Sequence, residues 1–450
     1  MRLKTILEKT QPVKYNLYYN LKKVLIITYY WPPSGGGGVQ RWVKFVKYLP
    51  KFNIEPIVLT VKPDKASYAV IDESLIAELS ESLKVYTTKS LEPFNIYKKF
   101  SAKNEIPYGG FTNEEDPGFF KKVSRFIRGN FFIPDARIGW NKYAYKQAKE
   151  LIEKYNIKTV ITTSPPHSTQ LIGIKLKKQF DIFWIADLRD PWTDIYYYKS
   201  MYHTYFAKLQ DKRKEIEVLR NCDRIIVVSN SIKELFASKI EQYNREKINV
   251  ISNGFDSSDF DSRVDTNNDN FVITYTGTLA DNYNIESFLE ALINVVNRYG
   301  DLKIKLQFVG RVSQKYRNII DNSALKSICN FEGHVDHSSS IKYLKNSNAL
   351  FLAIPDVMQN KGILTGKLFE YLAARKPIIG IGPTQGDASI IIDECCAGKM
   401  FSYSDVDLMT LYIHDLYRRW QKNPGDKLIG EIYNNYSREK LTEMLVKLIP

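Results

Sequence analysis

The sequence predicts an α/β protein built on two doubly wound parallel sheets. Three observations lead there. Short, β-branched, almost wholly apolar runs alternate with longer amphipathic stretches, the pattern of parallel strands buried on both faces and joined by helices. The chain has 450 residues, too many for one ordinary domain. The alternation exceeds one sheet, and a polar stretch at 253–269, NGFDSSDFDSRVDTNND, interrupts it.

In the first half, apolar runs place strands at 23–28 (KVLIIT), 56–60 (PIVLT), 158–163 (KTVITT), 182–187 (IFWIAD) and 224–228 (RIIVV). Amphipathic spacing predicts helices over 38–49 and 142–154. The second half repeats the scheme with strands at 271–276 (FVITYT), 304–309 (IKLQFV), 349–354 (ALFLAI) and 377–381 (PIIGI). The domains so read are 1–252, a linker over 253–269, 270–430, and a C-terminal helix over 431–450 that folds back on the first domain. Residues 88–135 have weak periodicity and many aromatics and prolines, and read as an insertion in the first domain.

The composition is 44% hydrophobic and 25% charged, which excludes wholesale disorder. The net charge of +14 is uneven: residues 1–250 hold 42 basic and 26 acidic residues, residues 251–450 hold 22 and 24. Such asymmetry points to an anionic partner for the first half. Cys222, Cys329, Cys395 and Cys396 make no disulfide framework, and no C-x-x-C or H-E-x-x-H occurs, so no metal site is expected. The first twenty residues lack a signal-peptide core, and no apolar run reaches about 18 residues. A reducing, cytoplasmic setting is expected.

The strand at 23–28 leads into YYWPPSGGGGVQRW, with Gly36, Gly37 and Gly38 opening an amphipathic helix. Bare backbone N–H groups at a helix start, with no β-carbon in the way, suit a bound anion. The spacing fits neither a P-loop nor a G-x-G-x-x-G dinucleotide site. In the second half, 361–379 reads KGILTGKLFEYLAARKPII. A helix starts at Thr365–Gly366, with Lys367 in its first turn and Glu370 on the same face. The lysine and helix N-terminus suit a diphosphate, and the carboxylate can accept from vicinal ribose hydroxyls. Glycine turns follow two strands, placing Gly277 and Thr278 in YTGTL and Gly310 and Arg311 in FVGR. Arg311 is a phosphate partner through its planar fork.

Together these segments resemble the family-4-like glycosyltransferases of the GT-B fold, over roughly 23–435. The resemblance rests on YYWPPSGGGGVQRW, DLRDPW at 187–192, CDRIIVVSNSIKELF at 222–236, VISNGFD at 250–256, YTGTL, FVGR, GHVDH at 333–337 and GKLFEYLAARKPIIGIG at 366–382. It implies two Rossmann-like domains facing a central cleft, with a nucleotide-sugar donor on the second and the acceptor on the first. It also implies transfer with retention and no bound metal or other cofactor. Glu370 matches the family's ribose-holding glutamate. Lys367, Arg311 and Gly277 fall on the donor side, and Gly36 to Gly38 would close over the diphosphate. The sequence departs at Gly362, where the family often carries a glutamate near the sugar, and lacks the usual arginine after 271–276.

Retaining transfer needs the leaving diphosphate stabilised and a proton acceptor near the incoming hydroxyl, which the leaving phosphate itself can provide. On the first domain, His167 in TTSPPHST and Asp187, Arg189 and Asp190 in ADLRDPW follow strands at the carboxyl ends, where ligands sit. His167, Asp187 and Asp190 are the catalytic candidates and Arg189 the acceptor-binding one. His203, His334, His337 and His414 read as structural or surface residues. Residues 119–146 carry seven basic residues and one acidic one among aromatics, a segment suited to an anionic membrane surface on the cytoplasmic side. No nucleic-acid module is recognisable, so no nucleic-acid partner is expected. The expected partners are a nucleoside-diphosphate sugar and a saccharide or lipid-linked acceptor in cell-surface polysaccharide or glycolipid synthesis. A nucleotide-sugar epimerase or hydrolase, or a non-catalytic nucleotide-sugar-binding partner, remain as alternatives.

Overall fold

The computed structural model describes residues 21–68, 70–91, 119–261, 269–299, 302–424 and 430–450. The expected insertion over 88–135 therefore lies outside the described residues at 92–118, and the linker at 262–268.

The first sheet is formed by β1 (Lys22–Ile27), β2 (Ile54–Val61), β3 (Lys84–Thr88), β4 (Thr159–Ser164), β5 (Phe183–Leu188), β6 (Arg224–Val227) and β7 (Ile248–Val250). Its order is β3-β2-β1-β4-β5-β6-β7, all parallel. Helices α1 (Gly37–Tyr48), α2 (Phe119–Phe131), α3 (Asn141–Tyr155), α4 (Gln170–Gln179), α5 (Tyr205–Asn221) and α6 (Asn230–Ala237) accompany it. The second sheet runs β10-β9-β8-β11-β12-β13, also parallel. Its strands are β8 (Phe271–Thr276), β9 (Ile304–Val309), β10 (Cys329–Gly333), β11 (Ala349–Ala353), β12 (Ile378–Ile381) and β13 (Gly398–Phe401). Its helices are α7 (Glu286–Tyr299), α8 (Gln314–Asp321), α9 (His337–Asn346), α10 (Gly366–Ala374), α11 (Asp387–Glu394) and α12 (Val406–Lys422), and α13 (Arg438–Val446) ends the chain.

Both sheets reverse direction beside their first strand, which opens a crevice at the strands' carboxyl ends. The strands read as apolar runs because both faces are covered. In β1, Val24 and Ile26 pack with Trp42, Val43 and Val46 of α1, whereas Leu25 and Ile27 pack with Ala144, Ala148 and Leu151 of α3. In the second domain Tyr275 and Phe351 face α7 and α12, while Leu350 and Leu352 face α10 and α11.

Two crossings join the domains. The linker backbone pairs with the C-terminal segment, Phe255 N–H donating to Tyr436 O (3.1 Å) and Arg438 N–H to Phe255 O (2.7 Å). Leu441, Leu445 and Ile449 then enter the first domain's core beside α1. Helix α1 also grips the linker along one face: Arg41 donates to Ser252 O (2.6 Å) and Ile251 O (2.9 Å), and Lys47 (2.8 Å) and Tyr48 (2.7 Å) reach Asp256.

Candidate functional site

On the second domain, Gly277 follows β8 at φ +91° and Gly310 follows β9 at φ +134°. Gly277 is required twice over. Its backbone conformation is the left-handed one, and a Cβ there would stand 2.6 Å from Lys367 Cε. Lys367 thus passes directly over the glycine turn. Its amine donates to Tyr275 Oη and to Thr278 O (3.4 Å), and lies 4.2 Å from the Tyr275 ring centroid and 5.5 Å from that of Tyr283. Burial against these rings lowers its pKa to about 7, with Glu370 opposing. The lysine sits one turn from Glu370 without an ion pair to it.

Helix α10 begins without a side-chain cap, and the buried Thr365 hydroxyl has no partner among the described residues. Free N–H groups, an orphaned hydroxyl and a lysine therefore converge where an anion would be held. Arg311 is exposed beyond β9; its backbone carbonyl accepts from Leu279 N–H (2.8 Å), and its guanidinium has no hydrogen-bond or ion-pair partner among the described residues. Glu370 is met by His337, whose Nε2 lies 3.2 Å from Oε1. Sequence reasoning had set His337 aside: it is far along the chain, and only the packing of α9 beside α10 brings the two together.

On the first domain, Gly36 stands at φ +104° and caps α1, with Gly37 and Gly38 in its first turn. A Cβ on Gly38 would fall 1.9 Å from Arg189 Nη1, so this glycine makes room for the guanidinium. Arg189 is held by carbonyls, Nε to Ser164 O (3.0 Å) and Nη2 to Pro165 O (3.4 Å), and by no carboxylate within ion-pair distance among the described residues. Its charge is thus left for a ligand at the switch point. Asp190 stands beside it, its carboxyl pKa raised by burial and held back by Arg189.

His167 stacks flat on Trp192, centroids 4.7 Å apart at 15°. The indole N–H is anchored on Asp211 (2.9 Å). Burial, with Arg189 and Lys239 nearby, lowers the His167 pKa to about 3, and its Nδ1 has no partner. A neutral imidazole offers one donor and one acceptor, which fits hydrogen bonding to a sugar and not proton storage near neutral pH.

Asp187 departs from the sequence expectation. It is 0% exposed, and its oxygens take Trp42 Nε1 (2.8 Å), Thr163 Oγ1 (2.8 Å) and Arg41 Nη2 (3.2 Å). It joins β4, β5 and α1 from within, a framework position where a catalytic one was expected.

Gly362 packs on α6 of the first domain, its carbonyl accepting from Ser229 Oγ (3.1 Å). A Cβ there would meet Ser231 Cβ at 3.1 Å. A glutamate does not fit without shifting this contact. A cavity of about 480 Å³ opens between the domains nearby, lined by Ser229, Leu364, Asp387 and Met444 among others, and contains none of the expected site residues. The domains also approach across the cleft at Tyr196 and Tyr283: burial raises the pKa of the Tyr283 phenol, and Tyr196 adds to it.

The 119–146 segment divides. Ile133, Trp140 and Ala144 are buried, and Arg125 and Arg137 are covered, so the latter part is core. The exposed apolar face is Val123, Phe126, Ile127 and Phe131 of α2, continued by Tyr202, Tyr205 and Phe206. Asn130 ties the two pieces, donating to Tyr202 O (3.1 Å) and accepting from Thr204 N–H (2.7 Å). Among the described residues no helix is long and apolar enough to cross a membrane, and no group of three or more metal-ligating side chains occurs.

Residues 107–259 match the Glycosyltransferase Family 4 profile. A search of curated proteins finds no match. Among solved structures the chain is similar to a glycosyltransferase from Rickettsia africae (17% identity, 96% of this chain and 98% of that one, TM-score 0.58). It is similar to the lipopolysaccharide outer core galactosyltransferase WaaB (12%, 95% and 98%, 0.55). It is also similar to a TarM variant from S. aureus, solved with fondaparinux, α-GlcNAc-glycerol and UDP (13%, 95% and 99%, 0.57). The profile match agrees with the family-4-like reading over the segment it covers, about a third of the chain, and the fold is GT-B.

Proposed function

We propose that this glycosyltransferase moves a sugar, with retention, from a nucleoside-diphosphate sugar to a saccharide or lipid-linked acceptor in cell-surface glycan assembly. The observation that carries the reading is the convergence of Lys367, the uncapped start of α10 and the orphaned Thr365 hydroxyl over the Gly277 turn, with Glu370 one turn along. In this reading Glu370 accepts from the ribose hydroxyls. Lys367, Arg311 and the helix N-terminus stabilise the departing diphosphate, so the charge on the leaving group is met by protein groups. Gly36 to Gly38 and Arg189 close on the same diphosphate or on an anionic acceptor from the first domain. His167 hydrogen-bonds the transferring sugar, and Asp190 orients the incoming hydroxyl. A resident metal or other cofactor has no step to perform in this scheme. TarM, solved with UDP and saccharides, and WaaB, a lipopolysaccharide transferase, supply the fold-level analogy for donor and acceptor.

The acceptor-side face of α2 and Tyr202–Phe206 suits the surface of an anionic bilayer, with aromatic rings at headgroup depth and lysines around them. The activity is tested by incubating the protein with a panel of nucleotide sugars and lipid-linked or saccharide acceptors. Nucleotide release that requires acceptor supports the reading. Release of the same size without acceptor replaces it with an epimerase or hydrolase, and binding without release leaves a non-catalytic partner.

A further inference from the structure

Glu370, assigned above to the donor ribose, has a side-chain partner in His337. His337 is the first residue of α9, in a turn fixed by Asp336, whose carboxylate caps the helix by accepting from Ser339 N–H (2.9 Å). From there its Nε2 reaches Glu370 Oε1 at 3.2 Å. Neither side chain is sealed, with 38% of the histidine and 22% of the glutamate exposed. They line a small cavity of about 50 Å³ together with Lys44 of α1, Asp259 of the linker and Arg438 of α13. A vicinal diol is held best by both oxygens of a carboxylate, and the imidazole occupies one of them.

We propose that His337 is a positioning residue for the donor: its imidazole holds Glu370 and gives way to the two ribose hydroxyls when a ribonucleotide binds. The idea rests on the ribose assignment of Glu370. It also narrows the donor class to ribonucleoside diphosphate sugars. A 2′-deoxynucleotide offers one hydroxyl where the displaced imidazole leaves two places to fill.

The exchange has a proton signature. The charged groups around His337 are Glu370 on α10, Asp259 on the linker, Lys44 on α1, Arg438 on α13, Asp72 and Glu78 on the turn over 72–78, and Asp336 at its own helix start. The hydrogen bond to Glu370 holds the imidazole pKa above its ordinary value, with the charges of Glu370 and Asp259 adding and burial and Lys44 opposing. The ring therefore keeps its proton against Glu370 to a higher pH than a free imidazole would. Displacement removes the partner, the pKa falls, and the proton leaves.

The test is calorimetric titration of the full chain with UDP, GDP and ADP at pH 6.5, in two buffers of different ionisation enthalpy. Wild type is expected to release a fraction of a proton per nucleotide that H337Q does not. H414Q, altered where His414 stacks on Tyr299 far from the donor residues, is expected to behave as wild type. Proton exchange at Lys367 and at the nucleotide phosphate is common to wild type and H337Q and cancels in the difference. At pH 6, H337Q is expected to bind about fivefold tighter than wild type, the advantage fading by pH 8.5. Its preference for UDP over 2′-deoxy-UDP is expected to shrink. Equal proton release from wild type and H337Q, with E370A impaired in binding, overturns the proposal alone. Undiminished binding by E370A overturns the ribose assignment and the proposal with it.

Discussion

Replacing Asp187 by alanine separates a framework carboxylate from a catalytic one. Asp187 and Arg41 are both 0% exposed and face each other at 3.2 Å. Removing one partner of a buried pair costs about 3–5 kcal/mol, because the remaining charge is left in a poor medium. Arg41 keeps two carbonyl acceptors, at Ser252 and Ile251, which argues for the lower end. Trp42 Nε1 and Thr163 Oγ1 each lose their acceptor as well, at about 1 kcal/mol apiece. A loss of about 5 kcal/mol follows, and for a domain of this size that lowers its unfolding temperature by about 10–20 °C. Thermal unfolding followed by circular dichroism measures it at pH 7. The double variant Arg41→Met, Asp187→Leu removes both charges and is expected to recover a substantial part of the loss. A shift below about 2 °C for D187A, together with complete loss of transfer, refutes the framework reading and restores Asp187 to the cleft.

The proposed donor side supplies two further expectations, and the exposed face of α2 a third. Gly277→Ala places a methyl against Lys367 in a left-handed backbone conformation, so donor binding weakens about tenfold or more in a calorimetric titration. The Lys367 amine, with a pKa near 7, must be charged to meet a diphosphate. Donor affinity is therefore full below that pH and falls up to about tenfold per pH unit above it, until the raised pKa of the complex is reached, and K367M flattens this limb. Phe126→Ser with Phe206→Ser removes two rings from the exposed face, and flotation with anionic vesicles at low salt is expected to fall about tenfold or more.

The sequence revealed the sheet interiors and missed their margins, for a physical reason. The strands placed from apolar runs, such as β8 over Phe271–Thr276, are interior strands with a hydrogen-bonded neighbour on each side. The four that escaped, β3, β7, β10 and β13, are the outer strands of the two sheets. KVYTT in β3 and CNFEG in β10 are half-exposed, so they carry no continuous apolar run to read. The donor-side helix was legible because its lysine, glutamate and glycine turns are local patterns. Asp187 misled because a carboxylate at a strand end looks the same in sequence whether it points into the cleft or back under α1. His337 was invisible because its partner is set by packing of α9 on α10 and by no spacing along the chain. The basic, aromatic stretch over 119–146 is only partly surface: Trp140 and Ala144 answer to the core, and the exposed face instead gains Tyr205 and Phe206 from a turn remote in sequence.

Glu370 is where the account is most exposed to a single result. Nucleoside-diphosphate-sugar binding to wild type and to Glu370→Ala, compared by calorimetry at pH 7, tests it. Loss of two charge-assisted hydrogen bonds to the ribose predicts binding weaker by about a hundredfold with the fold's unfolding temperature unchanged. Equal affinity in the two proteins contradicts the assignment of the donor to this helix.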